Sequence, residues 1–172
     1  MTMNEIIINK LVINIGTGND SNLQPNAKRL LEIITGKKPA DEISKKRNPS
    51  FKITKGQKIG AFVTLRGKAI APVLTRLLDA RNNHIPESSI SGNAMSFGIK
   101  EYIDISGLKY DPKVGMLGMN VNISFKRKGA RVAERKRKQA YVPGYHRAIE
   151  KNDIITFMHE KFKVDTNEEG AV

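Results

Sequence analysis

From Glu5 to Gly16 the chain reads EIIINKLVINIG, a β-branched run closed by glycine, which predicts a first strand. Asn14 interrupts its apolar positions, either as a satisfied edge residue or as a contact on an exposed sheet face. Between Asn22 and Thr35, Leu23, Ala27, Leu30, Leu31 and Ile34 recur at the spacing of an amphipathic helix, and Gly36 supplies its stop. An extended piece over Pro39 to Ile43 leads into a loop, Ser44 to Gly56. In the next segment, Gln57 to Gly67, Ile59, Ala61, Val63 and Leu65 alternate with Lys58, Phe62, Thr64 and Arg66, which predicts a second strand ending at Arg66. A helix over Lys68 to Arg81 follows, with Ile70, Val73, Leu74, Leu77 and Leu78 on one face.

Beyond a polar loop at 86–93, strands are predicted over Met95 to Ile105 and Met116 to Lys126, separated by a turn at Asp111 and Pro112. The second of these alternates Met119, Val121, Ile123 and Phe125 with Asn120, Asn122 and Ser124, so one face is apolar and the other is polar yet nearly uncharged. Glu150 to Phe162 returns to helical spacing, and residues 165–172 carry no periodicity, as in a disordered tail. The order of elements predicts an α+β fold: a mainly antiparallel sheet with helices packed on one face and the opposite face open. A length of 172 residues suits one domain, taken as 1–164, from which the loop 44–56 and an extension 126–147 protrude.

Charge changes this picture more than any motif does. Lys126 to Lys138, KRKGARVAERKRK, holds eight Lys or Arg and one acid, a net +7 out of +13 for the whole chain, so +6 remains elsewhere. Such density points to an anionic polymer, because each neutralised phosphate releases condensed counterions whatever the base sequence. The loop 44–56 adds Lys45, Lys46, Arg47, Lys52 and Lys55 with no acid, broken by Pro49 and carrying Phe51, which favours phosphate contact over a merely solvated turn. After the basic run, Tyr141, Pro143, Gly144, Tyr145, His146 and Arg147 suggest an irregular segment laid against something, while the like charges within Lys126 to Lys138 should keep that run itself largely disordered in the free protein.

Several function classes drop out. With no Cys, disulfides and thiolate metal sites are excluded. The three His residues, His84, His146 and His159, show no metal spacing, and no nucleophile elbow or phosphate-binding glycine motif occurs, so neither a metal nor a cofactor is expected. Glu101, Asp104 and Asp111 could be drawn into a magnesium site, but acids at strand ends and turns read better as structural. No apolar run spans a bilayer and no signal peptide is recognisable, so a cytoplasmic protein without a membrane partner is expected. With aromatics at 6% and no Trp, a nucleic-acid surface built mainly on base stacking is less expected than one built on charge and backbone shape.

Seven segments, LVINIG, ITGKKP, ISKK, IGAFVTLRG, SFGIKEYIDI, KYDPKVGMLGM and RVAERKRKQAYVPGYHR, occur in an order and spacing that resembles the family of large-subunit ribosomal protein five, numbered eleven in eukaryotes. The resemblance covers residues 6–164, and the basic block before PGYHR is similar to the archaeal and eukaryotic branch, of which the archaeal is preferred. It implies a structural constituent of the ribosome that binds 5S rRNA and helps attach it to the large-subunit rRNA in the central protuberance. On matching positions it implies that Asn14, Lys37, Lys38, Thr64 and Arg66 lie on or beside the RNA-binding face. The loop with Lys45, Lys46, Arg47, Phe51 and Lys52 would reach toward P-site tRNA, and neighbouring ribosomal proteins would include the small-subunit head. Lys37 stands where the family usually has Gln, and the loop tip differs from the commoner Phe-Gly form. In the basic block, Lys126, Arg127, Lys128, Arg131, Arg135, Arg137 and Lys138 are the expected phosphate contacts. A free RNA chaperone or regulatory RNA-binding protein is the alternative.

Overall fold

The computed structural model describes residues 5–20, 22–112 and 114–166. Its centre is a six-stranded sheet in the order β2-β3-β1-β6-β5-β4, every neighbouring pair antiparallel. The strands are β1 (Ile6–Gly16), β2 (Ala40–Ile43), β3 (Lys58–Leu65), β4 (Ile90–Ser91), β5 (Ala94–Ile99) and β6 (Met119–Arg127). Three helices, α1 (Leu23–Thr35), α2 (Ile70–Asp79) and α5 (Lys151–Phe162), bury their apolar faces in the same core as the sheet, while α3 (Arg131–Glu134) and α4 (Gly144–Arg147) are single turns in the basic extension.

Period-two alternation decides which face is covered. Leu11, Ile13 and Ile15 of β1, Ala61, Val63 and Leu65 of β3, Met95, Phe97 and Ile99 of β5, and Met119, Val121, Ile123 and Phe125 of β6 are all buried. They meet Leu30, Leu31 and Ile34 of α1, Leu74, Leu77 and Leu78 of α2, and Ile154 and Met158 of α5. Phe125 and Phe157 pack edge to face with centroids 5.9 Å apart, which fixes α5 against β6. The register pairs Val12 with Thr64 and Asn122, and Asn14 with Phe62 and Asn120. These residues share the opposite face, which the three core helices leave uncovered.

The structure departs from the sequence reading in three places. A bulge between Ile8 and Lys10 reverses the phase of β1, so Ile8 pairs with the buried Phe125 while Lys10 pairs with Ser124 on the open side. The strand expected over Met95 to Ile105 stops at Ile99, and Tyr102–Asp104 forms a 3₁₀ turn that buries Tyr102 and Ile105 three residues apart. Tyr102 is anchored there because its hydroxyl accepts a hydrogen bond from the Asp111 N–H at 2.9 Å. Likewise β6 begins at Met119 rather than Met116.

At the end of the chain, Ile85 N–H donates to Asp165 O (3.0 Å) and Asp165 N–H to Asn83 O (2.8 Å). The first residue of the expected tail is thereby joined to the turn after α2, and residues 167–172 lie outside the described residues.

Candidate nucleic-acid interface

On its open side the sheet presents Lys10, Val12 and Asn14 from β1, Phe62 and Thr64 from β3, Ala94, Ser96 and Gly98 from β5, and Asn120, Asn122 and Ser124 from β6. Asn is a poor strand former, so three Asn side chains in adjacent register rows cost strand propensity that packing on this face does not return. They surround a shallow depression of about 410 Å³ lined by Asn14, Ser96, Gly98, Asn120 and Asn122. Within it the Oδ1 of Asn14 is shielded from solvent and has no hydrogen-bond partner. A buried acceptor left unpaired is costly, and a hydroxyl or amino donor seated in the depression would remove that cost.

Cations flank this face at both of its ends. At one end, Arg66 follows β3 with extended dihedrals (φ −140°, ψ 153°), so by alternation it continues on the side of Thr64. Gly67, at φ +67°, then turns the chain into α2, a conformation that any side chain would strain. Lys37 and Lys38, both exposed, precede β2 and approach the same end, since Ala40 pairs with Phe62. Asn14, Thr64 and Arg66 thus lie on one side of the sheet, with Lys37 and Lys38 near its Arg66 end.

At the other end, β2 and β3 continue into the loop 44–56 as a hairpin-like arm. Ser44 N–H donates to Gln57 O (2.8 Å), and Asn48 and Ile53 exchange N–H···O bonds of 2.9 and 3.0 Å. The tip turns through Lys52 at φ 55° and leaves Phe51 69% exposed. Lys45, Lys46 and Arg47 are exposed along its ascending side.

A polar network that the sequence did not reveal clamps the base of this arm. Gln24, buried on α1, donates from Nε2 to Gly60 O (2.7 Å) and to Asp41 Oδ1 (3.1 Å), while its Oε1 accepts from Thr17 Oγ1 (2.9 Å). Asp41 also pairs with Lys28 at 2.5 Å and Lys58 at 3.1 Å. Hydrogen bonds from Lys28, then Gln24, then Lys58 hold its carboxyl well below the usual carboxylate range. A Gln in the first turn of a helix is an unremarkable surface residue by pattern; only the fold brings three elements onto it.

The seven expected phosphate contacts of the basic block divide into two groups. Lys126 and Arg127 are still in β6: Lys126 lies 3.9 Å from Glu134, and Arg127 turns to the helix side, donating to Asp153 Oδ2 (2.8 Å) and Ala148 O (2.9 Å). Lys128 pairs with Glu5, whose carboxyl is lowered chiefly by that hydrogen bond. These three tie the root of the extension to the body. Arg131, Arg135, Arg137 and Lys138 are exposed, and Arg135 Nε makes a local contact with Lys138 O at 2.8 Å. Tyr141 and Tyr145 are 86% and 75% exposed, the latter tilted against His146 at 4.3 Å.

Among the described residues no cluster of three or more His, Asp or Glu could hold a metal, and no helix is long and apolar enough to cross a membrane. Residues 58–157 match the family model for the C-terminus of the ribosomal L5 family, and residues 2–54 match that of ribosomal protein L5. The large ribosomal subunit protein uL5 of Sulfurisphaera tokodaii is 40% identical over 164 residues, covering 94% of this chain and 92% of the relative. The protein of that name in Archaeoglobus fulgidus is 41% identical over 156 residues (91% and 87%), and in Thermoplasma volcanium 40% over 165 residues (94% and 96%). With both family models matching in sequence and archaeal relatives aligned over nearly the whole length, the chain belongs to the ribosomal protein L5 family.

Proposed function

We propose that the open sheet face binds 5S rRNA and that the basic extension fastens the complex to the large-subunit rRNA in the central protuberance. Membership of the family already makes the chain a structural, non-enzymatic constituent of the large ribosomal subunit, working at the ribosome. The observation that carries the finer reading is a polar, nearly uncharged sheet face rimmed by cations at both ends. An A-form helix or folded loop offers 2′-hydroxyls and base edges at its surface and phosphates at its margins, and the face matches that division of labour.

In this reading Asn14 and Thr64 exchange hydrogen bonds with 2′-hydroxyls or base edges, and the unpartnered Asn14 Oδ1 accepts one of them. Lys37, Lys38 and Arg66 hold phosphates along the β3 end. Arg131, Arg135, Arg137 and Lys138 supply contacts that follow backbone charge, with Lys126, Arg127 and Lys128 at the root. The arm at 44–56, with Lys45, Lys46, Arg47 and Lys52 behind the exposed Phe51, reaches P-site tRNA, and neighbouring proteins up to the small-subunit head complete the surroundings.

Purified protein titrated with 5S rRNA and with a length-matched control RNA, from about 50 to 300 mM salt, tests this. A preference of roughly a hundredfold for 5S rRNA that persists at high salt and falls in Thr64→Ala and Arg66→Ala is the expected result. Equal affinity for both RNAs, lost together as salt rises, would replace the reading with that of a general RNA chaperone.

A further inference from the structure

The polar face does not end at Asn120. Where β1 and β5 finish and β6 begins, a second cleft of about 500 Å³ opens, lined by Gly16, Arg81, Gly98, Lys100, Gly118 and the same Asn120 that borders the central depression. Among the described residues no acidic side chain lines it, and two of its walls are cationic.

Arg81 is held there by a locked turn. Its N–H donates to Leu78 O (2.9 Å), Asn83 N–H donates to the same oxygen (3.0 Å), and His84 N–H donates to Arg81 O (3.1 Å). Asn82 and Asn83 both take positive φ, 54° and 56°, a conformation that Asn tolerates better than most residues. The segment at Asp165 closes the turn from outside through its bonds to Asn83 and Ile85. These bonds fix the Arg81 backbone; its side chain lines the cleft, with Nε shielded from solvent and without a hydrogen-bond partner. With Nε enclosed, a ligand in this acid-free cleft would meet the outer nitrogens of the guanidinium, and the planar fork of Arg fits phosphate oxygens in particular.

The glycine walls suit a sugar-phosphate strand. At Gly118 an added Cβ would meet Lys100 O at 2.9 Å and Ile99 O at 3.2 Å, so the backbones of β5 and β6 close tightly behind the cleft. At Gly16 an added Cβ would meet nothing within 4 Å, so that wall is open to an approaching ligand. Lys100 is exposed at the rim as a mobile point charge.

We propose that this cleft binds a backbone phosphate of the RNA lying on the sheet face, with Arg81 as the positioned fork and Lys100 as the outer cation. The inference rests on the reading of that face as an RNA site and extends it beyond the residues recognised from sequence. It also makes the footprint continuous: the central row of Asn14, Asn120 and Asn122 is bounded by Arg66 at one end of the sheet and by Arg81 at the other.

The test is a salt titration of RNA binding with Arg81→Gln, Arg81→Lys, Lys100→Gln and Gly16→Val beside the unaltered chain, folding being checked by circular dichroism. Loss of one phosphate contact lowers the slope of log K against log salt by about 0.7 to 0.9 and the affinity at 0.1 M salt by about five- to tenfold. That result is expected for Arg81→Gln and Lys100→Gln, with Arg81→Lys falling between. Gly16→Val, which fills the open wall and leaves every charge in place, is expected to lower affinity and slope in the same way. Unchanged slope and affinity in Lys100→Gln and Gly16→Val, neither of which disturbs a core position, would overturn the proposal whatever Arg81→Gln does to folding. Should the unaltered chain show no preference for 5S rRNA, the reading of the face fails by itself. The slopes measured on whichever RNA is bound then still decide the cleft.

Discussion

The sheet face and the basic extension grow from the same strand and are built in opposite ways. Along β6, Asn120, Asn122 and Ser124 have a bonded neighbour strand on each side and a packed core beneath, so their side chains project from a backbone with little freedom. A few residues on, Arg135, Arg137 and Lys138 project from a segment with two single-turn helices and exposed residues throughout 134–141. The first region has almost no charge and fixed geometry; the second has abundant charge and little geometry. Hydrogen bonds to base edges and 2′-hydroxyls need placement to within a fraction of an ångström, whereas counterion release needs only proximity. On the proposed reading, selectivity would belong to the face and affinity to the extension.

The strongest way to break that division is to neutralise the outer extension. Replacing Arg131, Arg135, Arg137 and Lys138 together by Gln is expected to lower the salt slope by about 3 and the affinity at 0.1 M salt by about a thousandfold, on 5S rRNA and control RNA alike. The ratio between the two RNAs should stay constant. A large change in that ratio would show that the extension reads sequence or shape, and the two regions would no longer be separable.

The complementary substitution is Asn14→Ala. It removes an amide from the centre of the face without touching the core or any charge, so 5S binding should weaken by about five- to thirtyfold, roughly 1–2 kcal/mol, with the salt slope unaltered. Folding stability should hold or rise slightly, because the unpaired Oδ1 disappears. Filter binding at two salt concentrations and a urea titration measure both. Equal weakening on the control RNA would assign Asn14 to general adhesion.

The same contrast explains what was legible in the chain. Period two in β3 and β6 and period three to four in α1, α2 and α5 come from burial on one side, so the alternation of Ala61, Val63 and Leu65 with Phe62 and Thr64 announces both the strand and its open face. Phase is invisible where every residue is apolar: Ile6, Ile7 and Ile8 give no hint of the bulge that follows them. The early end of β5 did leave a signal, since Tyr102 and Ile105 repeat at three residues rather than two. Arg127, one basic residue among eight in its run, could not be told from its neighbours, because its partner Asp153 lies on α5 and only the packing of α5 on β6 brings them together. Gln24 and Arg81 were hidden for a like reason: each has its surroundings from residues remote in sequence, Asp41 and Gly60 for one, the ends of β1, β5 and β6 for the other.

The smallest effect expected concerns the charges each region uses to hold itself in place. Asp41, on the helix-covered side of the sheet's β2 edge, has its carboxyl lowered by three hydrogen-bonding partners, Lys28 foremost, whereas Glu5, at the root of the extension, is lowered chiefly by Lys128. For both, the folded state favours the ionised form more than the unfolded chain does. The stabilisation is therefore complete above the ordinary values of 3.8 and 4.5 and declines as pH falls below them toward the lowered folded values. Both carboxylates remain in contact with water, so each contribution is modest and screened by salt. Urea midpoints measured from pH 6 down to about pH 2.5 should show a shallower acid-side decline in Asp41→Asn than in the unaltered chain, and a smaller change of the same sign in Glu5→Gln. The order matters more than the size. A larger flattening in Glu5→Gln would mean that the extension is anchored more firmly than the sheet edge, against the distinction between a preorganised face and a loosely held extension.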